Sequence, residues 1–175
     1  MPALLVTNDF PPRTGGIESY LYELWRRLPV GDATLLAAPG VVCAGDITRW
    51  PNPRFGGELM RLEHWTNATE QGVAAARRLL HGDGAAPEPF APVPLVWSDQ
   101  YDRKIQTVGS FRGDDDMEVV HGSLAERRFT AVFGRAGRLV GALAFSMPAK
   151  VMQYRRLIAD GTGFDDALAA ARAET

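Results

Sequence analysis

The sequence predicts an α/β chain that is α+β overall, with a small parallel α/β layer at the amino terminus, then an antiparallel sheet and carboxyl-terminal helices. Two patterns indicate this order. As far as residue 80, short apolar runs alternate with stretches of helical periodicity, as in parallel α/β units. Beyond Val96, strand-like runs follow one another with short connections, which favour antiparallel pairing, and two helical segments come last.

The amino-terminal layer is predicted from three apolar runs and a helix between the first two. The runs are ALLVT, ATLLAA and VVCAG, at 3–7, 33–38 and 41–45, and each indicates a buried strand. The helix is predicted from Ile17 to Leu28, because apolar residues recur there on one face. The third run would deliver Asp46 at the carboxyl end of its strand, where ligands of open α/β sheets bind.

A second helix is predicted from Asn67 to about Leu80, with Asn67 and Glu70 at capping-box spacing. The Pro/Ala-rich segment DGAAPEPFAPVP marks a boundary after it. The later strands are predicted at about 101–108, 117–121, 129–135 and 138–145, with Ala136-Gly137 as a hairpin turn, and the last helices at about 149–159 and 165–172.

Composition excludes several classes of function. The 175 residues are 46% hydrophobic and 23% charged, with a net charge of −2. The basic residues are scattered along the sequence, so they do not indicate binding to nucleic acid or to an anionic membrane. The amino terminus lacks the pattern of a signal peptide, and no window is apolar enough for a membrane span. The sequence therefore predicts a cytoplasmic protein.

The sequence predicts no metal site. The single cysteine, Cys43, excludes an internal disulfide and a multi-thiolate site, and its apolar surroundings indicate a buried structural thiol. The three histidines, His64, His81 and His121, lack metal-ligand spacing. The acidic run 113–118, GDDDME, is predicted to be a solvated loop, because it lacks the looped geometry that makes carboxylates converge on a cation.

Two family resemblances divide the chain. The string LLVTNDFPPRTGGIESYLYELWRRL resembles the amino terminus of GT-B glycosyltransferases of the family-4 type, over about residues 3–36. In that family a Pro-rich, Gly-Gly loop leads into a helix. Gly15 and Gly16 match the loop, and they would let backbone amides approach a sugar or a phosphate.

From about Pro39 onward the chain resembles the carboxyl-terminal part of bacterial ferredoxin–NAD(P) reductases. The strings AGD, RLEHWTNA, QG and WSDQYD, in this order, carry the resemblance. It implies a chimera of three parts: a glycosyltransferase-like leader over 1–38, the end of an FAD domain over 39–84, and a reductase carboxyl-terminal domain over 92–175. It also implies FAD as cofactor and a ferredoxin-type iron–sulfur protein as partner. Separately, two helices would cover the layer in region 1–80 poorly, and the apolar surface left exposed predicts self-association, with a homodimer as one assembly.

The reductase resemblance assigns five residues to the flavin. Asp46 would accept hydrogen bonds from the ribityl chain, and Glu63, His64 and Trp65 would lie at the pyrimidine edge of the ring. Trp97 would pack beside the ring, near the docking place of the iron–sulfur partner. The helix that follows Trp65 would aim its partly positive amino terminus at the same edge.

Other interpretations of these residues stay open. Asp46 is also compatible with a turn cap, Trp65 and Trp97 with core aromatics, and His64 with a structural histidine. The sequence names no catalytic residue, and whether the chain is itself an enzyme is left open. Because no G-x-G-x-x-G string occurs, we expect a truncated oxidoreductase with little activity alone. The alternatives are a remnant of a nucleotide-sugar-dependent glycosyltransferase and a non-catalytic binding or dimerisation module.

Overall fold

The computed structural model describes residues 42–81 and 88–174. The helix predicted from Ile17 to Leu28, the first two predicted strands, and Gly15 and Gly16 lie outside the described residues. The described residues belong to two units. The first contains 42–52, 58–81 and 88–90, and the second contains 53–57 and 91–174. The three-part division of the sequence stays a prediction.

The first unit contains a two-stranded antiparallel ladder and one long helix. Strand β1, Trp50–Asn52, pairs with β2, Glu58–Met60. Helix α1 runs from Trp65 to His81. The strand predicted at 41–45 is wrong where the structure describes it: residues 42–44 form no strand, and the chain turns directly after them. An apolar run becomes a strand only where a neighbouring strand pairs with its backbone.

Helix α1 begins two residues earlier than the sequence predicted. The backbone N–H of Ala68 donates to the carbonyl of His64 at 3.0 Å, which places the first helical bond ahead of Asn67. The predicted capping box at Asn67 and Glu70 is therefore wrong. Asn67 lies in the first turn instead, and its side-chain Nδ2 donates backward to the carbonyl of Leu62 at 2.8 Å.

The second unit is built on a five-stranded antiparallel sheet with the order β3-β4-β7-β6-β5. The strands are β3 Leu95–Gln100, β4 Arg103–Gly109, β5 Asp116–Ser123, β6 Arg128–Arg135 and β7 Arg138–Phe145. Helices α2, Pro148–Asp160, and α3, Phe164–Ala173, follow the sheet. This confirms the predicted mixed fold with an antiparallel sheet and carboxyl-terminal helices.

The turns of this sheet follow from local sequence. Ala136 and Gly137 have φ angles of 50° and 74°, so both central residues of the β6–β7 turn are left-handed, as a type I′ hairpin requires. The predicted hairpin is confirmed. Between β3 and β4 the turn falls at Tyr101 and Asp102, so the single strand predicted from residue 101 is wrong at its start.

The core of the second unit lies between the sheet and its two helices. Val108, Val132 and Ala142 present fully buried side chains from β4, β6 and β7. Val151, Tyr154 and Ile158 from α2 and Ala167 from α3 pack in the same apolar cluster. Tyr154 is the largest of the fully buried side chains among the described residues. The unit thus has a continuous apolar core, which is the main source of folding free energy.

The acidic run 113–118 is only partly the solvated loop that the sequence predicted. Asp114 and Asp116 are exposed, but the side chain of Asp115 is only 3% exposed. Its two oxygens accept hydrogen bonds from Nε and Nη2 of Arg135 at 2.6 and 2.7 Å. Its Oδ2 also accepts from the backbone N–H of Arg112 at 2.7 Å. Asp115 therefore fastens the loop before β5 to β6.

We expect Asp115→Asn to lower the free energy of unfolding by about 2–3 kcal/mol at pH 7, because it leaves the Arg135 guanidinium without its charged partner. Urea denaturation measures the change. The exposed neighbour gives the control: Asp114→Asn is expected to stay within about 0.5 kcal/mol of wild type. Equal effects of the two substitutions would contradict the assignment.

The same pair predicts a dependence on pH. The hydrogen bond from Arg135 holds the pKa of Asp115 below its ordinary value, against the opposing effect of burial. A depressed folded-state pKa stabilises the protein above the unfolded-state pKa, which is about 3.9, and this contribution disappears as pH falls through the folded-state value. The difference in stability between wild type and Asp115→Asn should therefore shrink as the pH falls from 5 to below 3. A constant difference would contradict the ion pair.

Candidate functional site

The candidate site is built on a tight turn, Gly45–Thr48, in the first unit. The backbone N–H of Thr48 donates to the carbonyl of Gly45 at 3.0 Å, and the Thr48 hydroxyl oxygen lies 2.8 Å from the same carbonyl. Gly45 has a φ of 87°, which a residue with a side chain rarely adopts. Asp46 follows Gly45 inside this turn, so local sequence fixes where its backbone lies.

Helix α1 holds the turn through one buried side chain. Oε1 of Gln71 accepts a hydrogen bond from the backbone N–H of Gly45 at 2.7 Å, and it lies 2.6 Å from the hydroxyl oxygen of Thr48. Gln71 and Thr48 are 5% and 3% exposed. Water therefore does not compete for these contacts, and the turn and the helix form one polar network.

Asp46 combines a fixed backbone with an unused acceptor. Nε of Arg61 donates to the carbonyl of Asp46 at 3.0 Å. The side-chain oxygen Oδ1 of Asp46 is buried, and it has no hydrogen-bond partner among the described residues. A buried acceptor without a partner is uncommon in folded proteins, because leaving it unpaired costs about 1–3 kcal/mol. The arrangement suits a ligand that brings a hydroxyl donor.

The residues predicted for the flavin edge lie at the beginning of α1. Glu63 is exposed and pairs with Arg61 at 2.9 Å, so Arg61 connects Glu63 to the carbonyl of Asp46. His64 is half-buried, with Nδ1 3.5 Å from the hydroxyl of Thr66. Trp65 is 76% exposed at the first helical position. The alternative of a core aromatic is therefore excluded for Trp65.

Two more buried polar atoms in the same unit have no hydrogen-bond partner among the described residues. They are Nε1 of Trp50 and Oδ1 of Asn67. Asn67 belongs to the first turn of α1, where backbone N–H groups have no acceptor within the helix and the helix dipole is positive. The beginning of α1 therefore carries both donors and an acceptor for a polar ligand.

Trp97 belongs to the second unit, on strand β3 opposite Gln106 of β4. Strand β3 is at the edge of the sheet, and Trp97 is 37% exposed. This surface position excludes a fully buried core aromatic. The exposed part of the indole is available for contact with a ligand or a partner.

The structure adds three residues that the sequence did not assign. Gln71 and Thr48 hold the turn, and Arg61 holds the carbonyl of Asp46. Gln71 occurs in the QG string that carried the reductase resemblance, so its position was noted without a role. Cys43 is half-buried, and burial raises the pKa of its thiol, which keeps the thiol protonated at neutral pH.

The described residues contain neither a metal-binding cluster nor a membrane-spanning helix. Within the described residues, no three His, Cys, Asp or Glu side chains converge as a metal site would require. No helix in that part of the chain combines the length and the apolar character needed to cross a bilayer.

Comparison with a family model finds a likeness for most of the second unit. Residues 95–175 match the model described as reductase C-terminal. These residues therefore resemble a reductase carboxyl-terminal domain. The edge strand with Trp97, the five-stranded sheet and the two helices all lie inside the matched residues of this domain.

Curated relatives extend the likeness beyond the reductase carboxyl-terminal domain. The ferredoxin reductase subunit of 5,5'-dehydrodivanillate O-demethylase from Sphingobium sp. (strain NBRC 103272 / SYK-6) is 34% identical over 163 residues, 93% of this chain and 38% of the relative. The ferredoxin–NAD(+) reductase component of the anthranilate 1,2-dioxygenase system of Burkholderia cepacia is 40% identical over 69% of this chain and 29% of the relative. The chain thus spans less than two fifths of these relatives.

A solved structure agrees with the curated relatives. The covalent putidaredoxin reductase–putidaredoxin complex is 28% identical over 70% of this chain and 28% of that chain, with a TM-score of 0.61. The chain therefore resembles the carboxyl-terminal part of ferredoxin reductases in sequence and in fold, as predicted.

The glycosyltransferase resemblance of residues 3–36 finds no support. The alignment with the ferredoxin reductase subunit covers 93% of the chain, so it must extend into the predicted leader 1–38. A chimera with a glycosyltransferase start is therefore not supported, and neither is the sugar or phosphate loop at Gly15 and Gly16. The reductase likeness accounts for the parts of the chain on both sides of Pro39.

The residues of the turn fit the flavin that this resemblance implies. The buried acceptor on Asp46 matches a ribityl hydroxyl, which is a donor. The first turn of α1 supplies positive potential and N–H donors for a ring edge that becomes negative on reduction. We therefore find the chemistry of this donor and acceptor set compatible with FAD.

Proposed function

We propose that this chain works as part of an FAD-dependent oxidoreductase of the ferredoxin–NAD(P) reductase type, which passes electrons from NAD(P)H to a ferredoxin-type iron–sulfur protein. The chain would contribute one wall of the flavin site and the reductase carboxyl-terminal domain. Bound FAD supplies two-electron chemistry toward a nicotinamide and one-electron chemistry toward an iron–sulfur cluster. The residues of the chain would bind the flavin and orient it.

One observation carries the flavin part of the proposal: the buried, unpaired Oδ1 of Asp46 on a turn that Gln71 and Arg61 hold in place. A fixed acceptor binds a ribityl hydroxyl without paying for its own ordering, so the turn is prepared for the ligand. Glu63, through its ion pair with Arg61, stabilises the same arrangement from the exposed side.

We further propose that Trp65 and His64 lie against the pyrimidine edge of the flavin. Trp65 is exposed at the first position of α1, so its indole is accessible to a ligand at the helix amino terminus. His64 accepts the first helical hydrogen bond through its carbonyl, which fixes its backbone next to that terminus. The helix dipole favours negative charge on the ring there.

The partner part of the proposal concerns Trp97 and the reductase carboxyl-terminal domain. The chain resembles a reductase solved in covalent complex with putidaredoxin, and two of its curated relatives are ferredoxin reductase components. We propose that Trp97, half-exposed on the edge strand β3, packs beside the flavin near the docking place of an iron–sulfur protein. A homodimer stays a prediction.

The 175 residues by themselves are expected to show little reductase activity. They contain no G-x-G-x-x-G string, the glycine pattern that brings backbone amides to a dinucleotide pyrophosphate. A site that consists of one wall gives weak binding, because recognition depends on a complete first shell. Assay of the chain with NAD(P)H and a dye acceptor tests this expectation.

Asp46→Leu tests the flavin assignment. We expect the dissociation constant for FAD to rise about 10- to 100-fold, because the substitution removes the buried, unpaired acceptor that would receive a ribityl hydroxyl, a loss of about 1.4–3 kcal/mol. Titration with FAD, followed by tryptophan fluorescence, measures it. Asp165→Asn, an exposed carboxylate in the first turn of α3, is the control and should bind like wild type. Unchanged affinity in Asp46→Leu would remove Asp46 from the site.

A further inference from the structure

Gln71 is a residue of the first unit to which the reductase resemblance assigns no contact with the flavin. It lies on α1, 26 residues beyond Gly45 along the chain, and it is almost completely buried. A buried amide is normally retained because it satisfies other buried polar groups. Here those groups are the backbone N–H of Gly45 and the hydroxyl of Thr48, the two ends of the turn that contains Asp46.

We propose that Gln71 is a positioning residue for the flavin: its side-chain oxygen fixes the direction in which Asp46 presents its carboxylate. The inference rests on the proposed function and deepens it. Gly45 has a φ of 87° and hence the conformational freedom of glycine, so the turn needs an external contact to select one geometry. Gln71 provides that contact on one side of Asp46.

The second contact comes from Arg61, which holds the Asp46 carbonyl at 3.0 Å. Arg61 thus holds the peptide unit after the Asp46 Cα, and Thr48 holds the unit before it by donating to the Gly45 carbonyl. Gln71 holds the peptide unit before Gly45 and also accepts from the Thr48 hydroxyl, so it supports the turn on both sides of Asp46. A carboxylate on a backbone held this way has fewer orientations to lose when a ligand meets its unpaired Oδ1, and preorganisation of this kind strengthens binding.

The same geometry connects the ribityl contact to α1. Gln71 lies on the helix whose first residue is Trp65, so one rigid element carries both the support for Asp46 and the amino terminus that the flavin edge would meet. A displacement of α1 would therefore move the turn as well.

Gln71→Met and Gln71→Glu test the inference in the full chain. Methionine keeps the length and removes the strong acceptor, and we expect a rise of about ten-fold in the FAD dissociation constant. Glutamate keeps the accepting oxygens, so its affinity should lie closer to wild type than that of Gln71→Met. Ala75→Gly, in the same helix, lowers stability without removing either contact of Gln71, and its affinity should match wild type.

The chemical shift of the Gly45 amide proton, measured by nuclear magnetic resonance, reports on the hydrogen bond to Gln71 and does not depend on the overall stability of the protein. The Gly45 amide proton should shift upfield in Gln71→Met and downfield in Gln71→Glu, because the acceptor is removed in one and charged in the other. Equal FAD affinity in Gln71→Met and wild type, or equal weakening in Gln71→Met and Ala75→Gly, would overturn the role of Gln71 and leave the proposed function intact. If the Gly45 and Asp46 resonances of the wild-type chain do not change when FAD is added, both the role of Gln71 and the proposed flavin site are wrong.

Discussion

Gly109→Ala is expected to destabilise the second unit by about 3–5 kcal/mol, a large part of the stability of an ordinary domain. Gly109 ends β4 with a φ of 82°, where a side chain is strained. An added Cβ would also lie 2.0 Å from the carbonyl oxygen of Val140 and 2.8 Å from Cα of Gly141. Both are backbone atoms of β7, which is paired on its two sides and cannot move away.

Two other glycines separate the contributions of strain and collision. Gly137 has a φ of 74° but open space around its Cβ position, so Gly137→Ala should cost only about 1–2 kcal/mol. Gly113 has open space without the left-handed φ, and Gly113→Ala should be close to neutral. In urea denaturation, the loss of unfolding free energy is expected to be largest in Gly109→Ala, smaller in Gly137→Ala and smallest in Gly113→Ala. A Gly109→Ala variant as stable as Gly137→Ala would contradict the close approach of β4 and β7.

Tyr154→Ala is the second large change, with an expected loss of about 3–5 kcal/mol. Tyr154 is 1% exposed and packs with Val151 and Ile158 in the core. Its hydroxyl lies 2.9 Å from Nε2 of His121 on β5, so the ring also connects α2 to the edge of the sheet. Removing it leaves both a cavity and an unpaired imidazole nitrogen.

Tyr154→Phe divides this effect into packing and hydrogen bonding. Burial raises the pKa of Tyr154 to about 12, and burial together with Lys150 lowers the pKa of His121, so two neutral groups share the hydrogen bond at pH 7. Keeping the ring and removing the hydroxyl should cost only about 1–2 kcal/mol. Thermal unfolding of both variants gives the comparison. A loss in Tyr154→Phe as large as in Tyr154→Ala would mean that the cavity contributes nothing.

Much of the second unit could be predicted from the sequence because its elements are marked locally. Strand β7 was predicted at its observed bounds, since it follows a turn whose alanine and glycine both adopt left-handed angles. Helices α2 and α3 were each predicted one residue too short at either end. Strand β3 was missed, because it is an edge strand whose last four residues are exposed and show no alternation.

The candidate site shows where such prediction stops. Asp46 was located by its string, but the expected strand before it is absent at 42–44, and a turn positions it instead. That turn depends on Gln71, and no local pattern announces a hydrogen bond across 26 residues. The buried pair of Asp115 and Arg135 was missed for the same reason, because contacts between distant residues arise only in the folded chain.

The reductase likeness now rests on the matched domain and on relatives that cover most of the chain, while the flavin roles rest on the geometry of one turn. The central claim is that this turn and the beginning of α1 form a wall of an FAD site. It follows that tryptophan residues of the chain, among them the exposed Trp65, should respond when FAD binds.

The most direct measurement is an FAD titration of the purified chain, followed by tryptophan and flavin fluorescence and then by gel filtration. The account predicts saturable quenching in wild type that is weakened in Asp46→Leu and in Gln71→Met and retained in Asp165→Asn. A chain that is folded by circular dichroism, but shows neither quenching nor co-elution of flavin, would contradict the claim. Such a result would leave a folded chain that resembles the carboxyl-terminal part of ferredoxin reductases but has no flavin site in these residues.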